Sequence, residues 1–278
     1  MGKRGRVKKT VATVLTYMIV LLFLSPFCIA IIYSLKSDSE IAASPIALPH
    51  KLHWENYVEA IQKSNFFVAL KNSFLITAIG TILLVLICSM APYVISRNMK
   101  KNKYYNILYY VFQATIMLPF QVIMFPLYKM YFKLNLINTM PGIILVLVAF
   151  QMGFDIFLYV GFIKTIPVEL EEAAEIDGCN KYQTFFKIIF PLLKPMTATV
   201  SVISALGLWN DFQVAQIFAQ KDVIKTLPLS QYYFLGQYSV KINMAFAGAI
   251  LTIIPMLIVF IFMQKYIIKG VTSGAVKG

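Results

Sequence analysis

Not one charged residue interrupts the chain between Val11 and Tyr33, and further long apolar runs follow it. An α-helix needs about 20 apolar residues to cross roughly 30 Å of hydrocarbon, so runs of this length leave few folds open. Six spans can be drawn, at 11–34, 73–96, 104–128, 141–163, 197–219 and 245–268. The runs do not alternate apolar with polar residues, which sets helices above a transmembrane β-barrel. Composition agrees: 59% of residues are hydrophobic, 13% are charged and mean hydropathy is +0.73. A dissolved domain needs far more polar surface than that. The expectation is an all-α polytopic membrane protein with six transmembrane helices.

The net charge of +13 does not point to nucleic acid, because the cations sit in short clusters beside the apolar runs. Such clusters mark the cytoplasmic side of a membrane protein. With a cytoplasmic N-terminus, sixteen of the 25 Lys and Arg fall inside, among them Arg97, Lys100, Lys101 and Lys103 in one short loop. Both termini are therefore expected in the cytoplasm. Lys3 to Lys9 followed by the first run resembles a signal peptide, but the run is too long for a cleaved one and no small-residue cleavage site follows. A retained first span is the better reading. Cys28, Cys88 and Cys179 are odd in number, lack metal spacing and give no disulfide framework.

Two connections are long. Residues 35–72 fall outside and hold His50 and His53, three apart with no third ligand nearby, so no metal site is expected. Residues 164–196 fall inside and carry five of the twelve acids, packed between Glu169 and Asp177. Pro167 suits a first helical turn, Glu169, Glu171 and Glu172 complement the positive end of the helix dipole, and Gly178 suits a left-handed C-terminal cap. A second amphipathic segment, Lys181 to Phe190, ends at Pro191 and Pro195. On charge alone, a solvated loop helix explains these acids as well as a functional one.

Spacing tips the balance. Glu172-Ala173-Ala174, three residues, Gly178, nine residues, Ile188, one residue and Phe190-Pro191 resemble the EAA-x3-G-x9-I-x-L-P signature of bacterial ABC importer permeases, departing only at Phe190. Two alanines let another backbone approach, and the glycine allows a sharp turn. "MLPFQVIMFPLYKMYFKLNLINTMPGIIL" (117–145), "WNDF" (209–212) and "GVTSGAVKG" (270–278) are similar to the maltose-permease (MalG) type within the carbohydrate-uptake group.

The resemblance covers nearly the whole chain and implies a type I ABC importer permease fold. It divides the chain into an N-terminus, first span and extracellular loop (1–69), a permease core (70–263) with the EAA loop at 164–196, and a cytoplasmic tail (264–278). It implies a bacterial inner-membrane subunit, not an enzyme, that admits a sugar, an oligosaccharide above all. Its partners would be a second, MalF-like permease, a dimer of ATPase subunits carrying ATP and Mg, and an extracellular sugar-binding protein facing residues 220–241. No cofactor would bind this chain. Glu169, Glu171, Glu172, Ala173, Ala174, Asp177, Gly178 and Pro191 would couple it to the ATPase, together with Lys277 in the tail.

Asp155 and Asp211 lie within the drawn spans, where a charge at a helix centre costs at least ~2.5 kcal/mol. With Gln151, Trp209 and Asn210 they are candidates to line a substrate pathway, Trp209 stacking on a sugar face. The structural alternative, pairing with Asn, Gln or Tyr of neighbouring helices, carries more weight. Two rival functions use the same acids, a proton-coupled secondary transporter and an intramembrane aspartyl protease. Gly153-Phe154-Asp155 is not the protease's G-x-G-D, and no inverted repeat supports the transporter. No P-loop, G-x-S-x-G or HExxH occurs, so energy for uphill movement must come from another subunit.

Overall fold

The computed structural model describes residues 3–234 and 241–275, with side chains for 9–234 and 241–264. Among these residues every regular element is helical: α1 (Lys3–Ser34), α2 (Asp38–Ala43), α3 (Glu55–Lys63), α4 (Phe66–Asn98), α5 (Lys103–Met117), α6 (Phe120–Lys133) and α7 (Met140–Ile163). They continue as α8 (Glu169–Ile176), α9 (Lys181–Leu192), α10 (Lys194–Asn210), α11 (Gln213–Phe218), α12 (Leu227–Gln231) and α13 (Ile242–Ala275). Four of these, α1, α4, α7 and α13, are each long and apolar enough to cross a membrane. The pairs α5–α6 and α9–α10 also qualify, but bend by 102° and 73° at their breaks.

Two of the drawn spans are interrupted. The 104–128 run is not one helix, because Leu118 precedes Pro119 and takes extended φ −83°, ψ 111°. A proline's Cδ disfavours the α conformation in the residue before it. The 197–219 run also stops early, at Asn210, where Asp211 turns extended (φ −64°, ψ 126°) before the short α11 begins.

The chain divides into two compact units. The first holds residues 1–66 and 231–254. From Val11 on, its α1 is mostly apolar around its circumference and bare, with Leu22 71% and Phe23 72% exposed, as a helix surrounded by lipid would be. Ser37 caps α2 in a capping box with Glu40. Asn56, buried, donates to the carbonyls of Ser34 (2.9 Å) and Lys36 (2.8 Å) and accepts from Asn243 (3.0 Å).

The second unit holds residues 67–230 and 255–278. Its core forms around α7, whose Ile143, Ile156, Tyr159 and Ile163 are fully buried with Ile189, Leu193, Val200 and Phe218. Thr139 starts α7 by accepting the Gly142 N–H (3.2 Å), with Pro141 in the first turn. At Gly153 a Cβ would lie 2.6 Å from the Phe112 carbonyl and closer still to Thr115 Oγ1, so glycine there is what admits α5 against α7.

Candidate functional site

The acidic stretch folds as the eight-residue α8. Glu169, Glu171 and Glu172 occupy its first turn, where the positive end of the helix dipole favours negative charge. Its other end closes at Gly178, which takes φ +81°, the left-handed cap expected there. The Cys179 N–H reaches the Ala174 carbonyl (2.9 Å) and the Gly178 N–H the Glu175 carbonyl (3.1 Å). Together they form a Schellman motif, and the chain reverses direction into α9. Asn180 then caps α9 with Gln183.

The residues of the motif do not all face one way. Glu169, Glu172, Ala173, Asp177 and Gly178 are exposed, whereas Ala174 is buried in the chain's own core. Only Ala173 of the alanine pair is therefore free to meet another backbone. Ile176, 86% exposed, stands at the end of the helix, and Tyr182, 74% exposed, follows on α9. In the sequence, the one sign of this surface is an isoleucine amid acids on a polar helix. The exposed end of α8 is thus an apolar tip with an acidic rim.

Glu171 faces inward. Its Oε1 lies 2.7 Å from Arg97 Nε, and its Oε2 accepts from the Tyr93 hydroxyl at 2.8 Å. Arg97 also donates through Nη2 to the Ile166 carbonyl (2.9 Å). Both charged side chains are only 15% exposed. A pair so shielded lies between a surface bridge, worth about 0–1 kcal/mol, and a fully buried one, whose breaking costs about 3–5 kcal/mol. Pro191, beyond α8, marks an irregularity in α9. Residues 184–189 are π-helical and the Phe190 N–H bonds to Phe185, a widened turn that accommodates the proline's clash with the carbonyl four residues back.

The five candidate residues of the spans separate into different environments. Asp155 is fully buried, accepting from Gln151 Nε2 (2.9 Å) on its own helix and from Ser204 Oγ (2.7 Å) on α10. Both carboxylate oxygens are thereby satisfied, with serine as the cross-helix partner. Asp211 instead receives the Ala215 N–H (3.1 Å) at the start of α11. Gln151 and Asp211 line a cavity of about 190 Å³ with Phe120, Phe150, Gly207 and Gln213. Trp209, buried, faces a different and mostly apolar cavity of about 770 Å³, with Lys71, Phe74, Thr77, Thr81 and Met256. Asn210 is exposed. The five pathway candidates therefore do not converge on one site.

In the other unit, the two histidines play different parts. His50 gives only its backbone N–H to Glu40 (2.9 Å), while the His53 ring lies 2.6 Å from Glu55 and 3.6 Å from Glu40. The backbone N–H groups of Ser37 and His50 hold the Glu40 carboxyl below the usual carboxylate range. Among the described residues, no cluster of three or more His, Cys, Asp or Glu is arranged to hold a metal. Lys277 and part of the 220–241 connection lie outside the described residues.

The family model described as the binding-protein-dependent transport system inner membrane component matches residues 84–273. The chain belongs to that family. Among relatives of this transport component, a multiple sugar-binding transport system permease protein, MsmG of Streptococcus mutans, is 40% identical over 92% of this chain and 93% of its own length. A probable starch degradation products transport system permease protein, AmyC of Thermoanaerobacterium thermosulfurigenes, is 32% identical over 99% of both. The crystal structure of a bacterial ABC transporter involved in the import of the acidic polysaccharide alginate contains a chain that superposes with a TM-score of 0.79 at 22% identity, covering 96% of this chain and 98% of that one. At that identity the likeness speaks for the fold, which it shares. The permease resemblance read from the EAA spacing is thereby borne out, and the component is an all-helical membrane protein.

Proposed function

We propose that this chain is one permease subunit of a bacterial importer that admits an oligosaccharide, driven by ATP hydrolysis on separate ATPase subunits. The observation that carries this reading is α8: an acid-started, glycine-capped knob with an apolar tip, in a chain of the family just described. Ala173, Ile176 and Tyr182 would seat in the ATPase, with Glu169, Glu172 and Asp177 around them, while Gly178 and Pro191 set the path of the chain behind them. Glu171 and Ala174 would contribute by holding the knob in shape. ATP and Mg would stay on the ATPase, and this chain would carry no catalytic group. The relatives' names, for starch degradation products and multiple sugars, support an oligosaccharide cargo. The closing experiment is uptake of a radiolabelled panel (glucose, maltose, maltotriose and raffinose) by cells with and without this chain. Loss of uptake of at least one oligosaccharide, restored by the intact gene, is expected; unchanged uptake of all four would sink the reading.

The membrane arrangement we propose has six spans, the bent pair α5–α6 counting as one and α10 with α11 giving the fifth, in the bacterial plasma membrane. Residues 1–69 would supply the first span and the extracellular loop, 70–263 the permease core, with 164–196 cytoplasmic, and 264–278 a cytoplasmic tail in which Lys277 would meet the ATPase. A second permease and an extracellular sugar-binding protein over 220–241 would complete the assembly. The cation count supports this orientation. A reporter fused after Asn102 or Asn180 should therefore behave as cytoplasmic, and one placed within 45–60 as extracellular. An extracellular signal at Asn180 would remove the coupling role of α8.

Of the pathway candidates, Gln151 and Asp211 are the pair that a passing sugar could meet, through the cavity that they share. Asp155 and Trp209 serve packing in this reading. A proton-coupled carrier would need Asp155 to exchange protons, and its two satisfied oxygens argue against that.

A further inference from the structure

A knob that is pushed moves a span only if something stiff joins them. The covalent link from α7 to α8 is the short connection 164–168, an elbow that could fold without passing its motion on. Arg97 holds this elbow against α8, taking the Ile166 carbonyl at its middle and Glu171 in the first turn of α8 beyond it. Tyr93, one turn earlier on α4, takes the second oxygen of Glu171, and its ring packs on Phe185 of α9 at 5.3 Å. The last turns of α4 are in this way tied to the elbow, to α8 and to α9. A cation that merely complemented the C-terminal dipole of α4 would need none of these partners.

We propose that Tyr93, Arg97 and Glu171 form a strut that carries the movement of α8 into α4, making them positioning residues for transport. The inference rests on the coupling role assigned to α8. The strut acts by holding the elbow at one angle, so that displacement of the knob turns α4 rather than closing the elbow. Without it the ATPase still docks, since Ala173, Ile176 and Tyr182 remain exposed, but hydrolysis is no longer converted into opening of the pathway.

The test uses the whole complex in proteoliposomes, with the panel oligosaccharide that the wild-type complex accumulates fastest. Sugar taken up per ATP hydrolysed is measured for Arg97→Gln, Glu171→Gln and the double variant, with ATPase co-purification alongside. Each single change should lower the ratio about fivefold, at wild-type co-purification, within the range by which linking residues modulate coupling. The double variant should be no worse than Arg97→Gln alone, because that change already breaks the ion pair with Glu171 along with the Ile166 contact, and the amide of Glu171→Gln still offers Tyr93 an acceptor. Tyr93→Phe, which deletes a hydroxyl alone, should lower the ratio less. Wild-type ratios in both singles, or losses that multiply in the double, overturn the strut. If Arg97→Gln fails to reach the membrane, the shape-conserving Glu171→Gln decides by itself, and a wild-type ratio there overturns the proposal. Gly178→Val, run in parallel, separates the two readings. If it too transports normally, the coupling role of α8 has failed, whereas an uncoupled Gly178→Val beside normal strut variants removes the strut alone.

Discussion

Gly178→Val should leave the chain in the membrane at near-normal levels while uptake per ATP hydrolysed falls about 5- to 30-fold. The magnitude follows from backbone geometry. Gly178 sits at φ +81°, and a Cβ built there meets nothing within 4 Å. No neighbour would be displaced, so the whole cost is local: an L-residue in the left-handed region loses roughly 1–2 kcal/mol, and valine's branched Cβ places it at the upper end. That energy corresponds to the stated factor in the population of the capped form. Relief would come by opening the Schellman bonds to Ala174 and Glu175, which changes the angle at which α8 and its exposed Ile176 meet α9. The core around α7 lies elsewhere, so folding of the spans is spared. Gly178→Asn supplies the control, because this chain already holds Asn135 at φ 55° and Asn138 at φ 59°. Membrane abundance, ATPase co-purification and uptake, measured side by side, should rank wild type, Asn and Val in that order. Full uptake by the valine variant would detach α8 from transport.

The long spans were legible because hydropathy is a sum over neighbours, and no charged residue interrupts α1 from Val11 on or α4 between Asn72 and Ser96. The bends were not, since Leu118 and Pro119 are as apolar as what surrounds them and hydropathy does not register a change of direction. The X-Pro pair was the available signal, and weighing its backbone constraint above the apolar run would have found the break. The acidic helix was readable because caps are local: the residues that start and stop α8 lie within a dozen positions of one another. The inward turn of Glu171 was not, because Arg97 lies far away in sequence and a list of five acids gives no sign of which one is paired. Trp209 and Asp211 teach the same lesson at short range. They are two residues apart, yet α10 ends between them, and the chain directs one to a mostly apolar cavity and the other to a separate cavity shared with Gln151 and Gln213.

Asp155→Ala should cut the amount of folded chain in the membrane severalfold, whereas Asp155→Asn should keep both abundance and uptake. Alanine would strand the fully buried Ser204 Oγ and leave the part-buried Gln151 Nε2 without its carboxylate partner. Each unsatisfied buried group costs about 1–3 kcal/mol. Part of that loss is recovered, because interhelical hydrogen bonds in membranes average only about 0.6 kcal/mol once the unfolded chain's own partners are counted. Asparagine keeps an acceptor for Ser204, and the Gln151 amide can turn to offer its oxygen to the new NH2 group. The α7–α10 link then survives without a charge. A proton carrier behaves in the opposite way, since an amide cannot release a proton and uptake would stop at full abundance. The decisive comparison is therefore uptake normalised to chain present in the membrane. A normalised rate near wild type in Asp155→Asn assigns the residue to packing, while a collapse would return it to the transport pathway and make the coupling helix the lesser part of the mechanism.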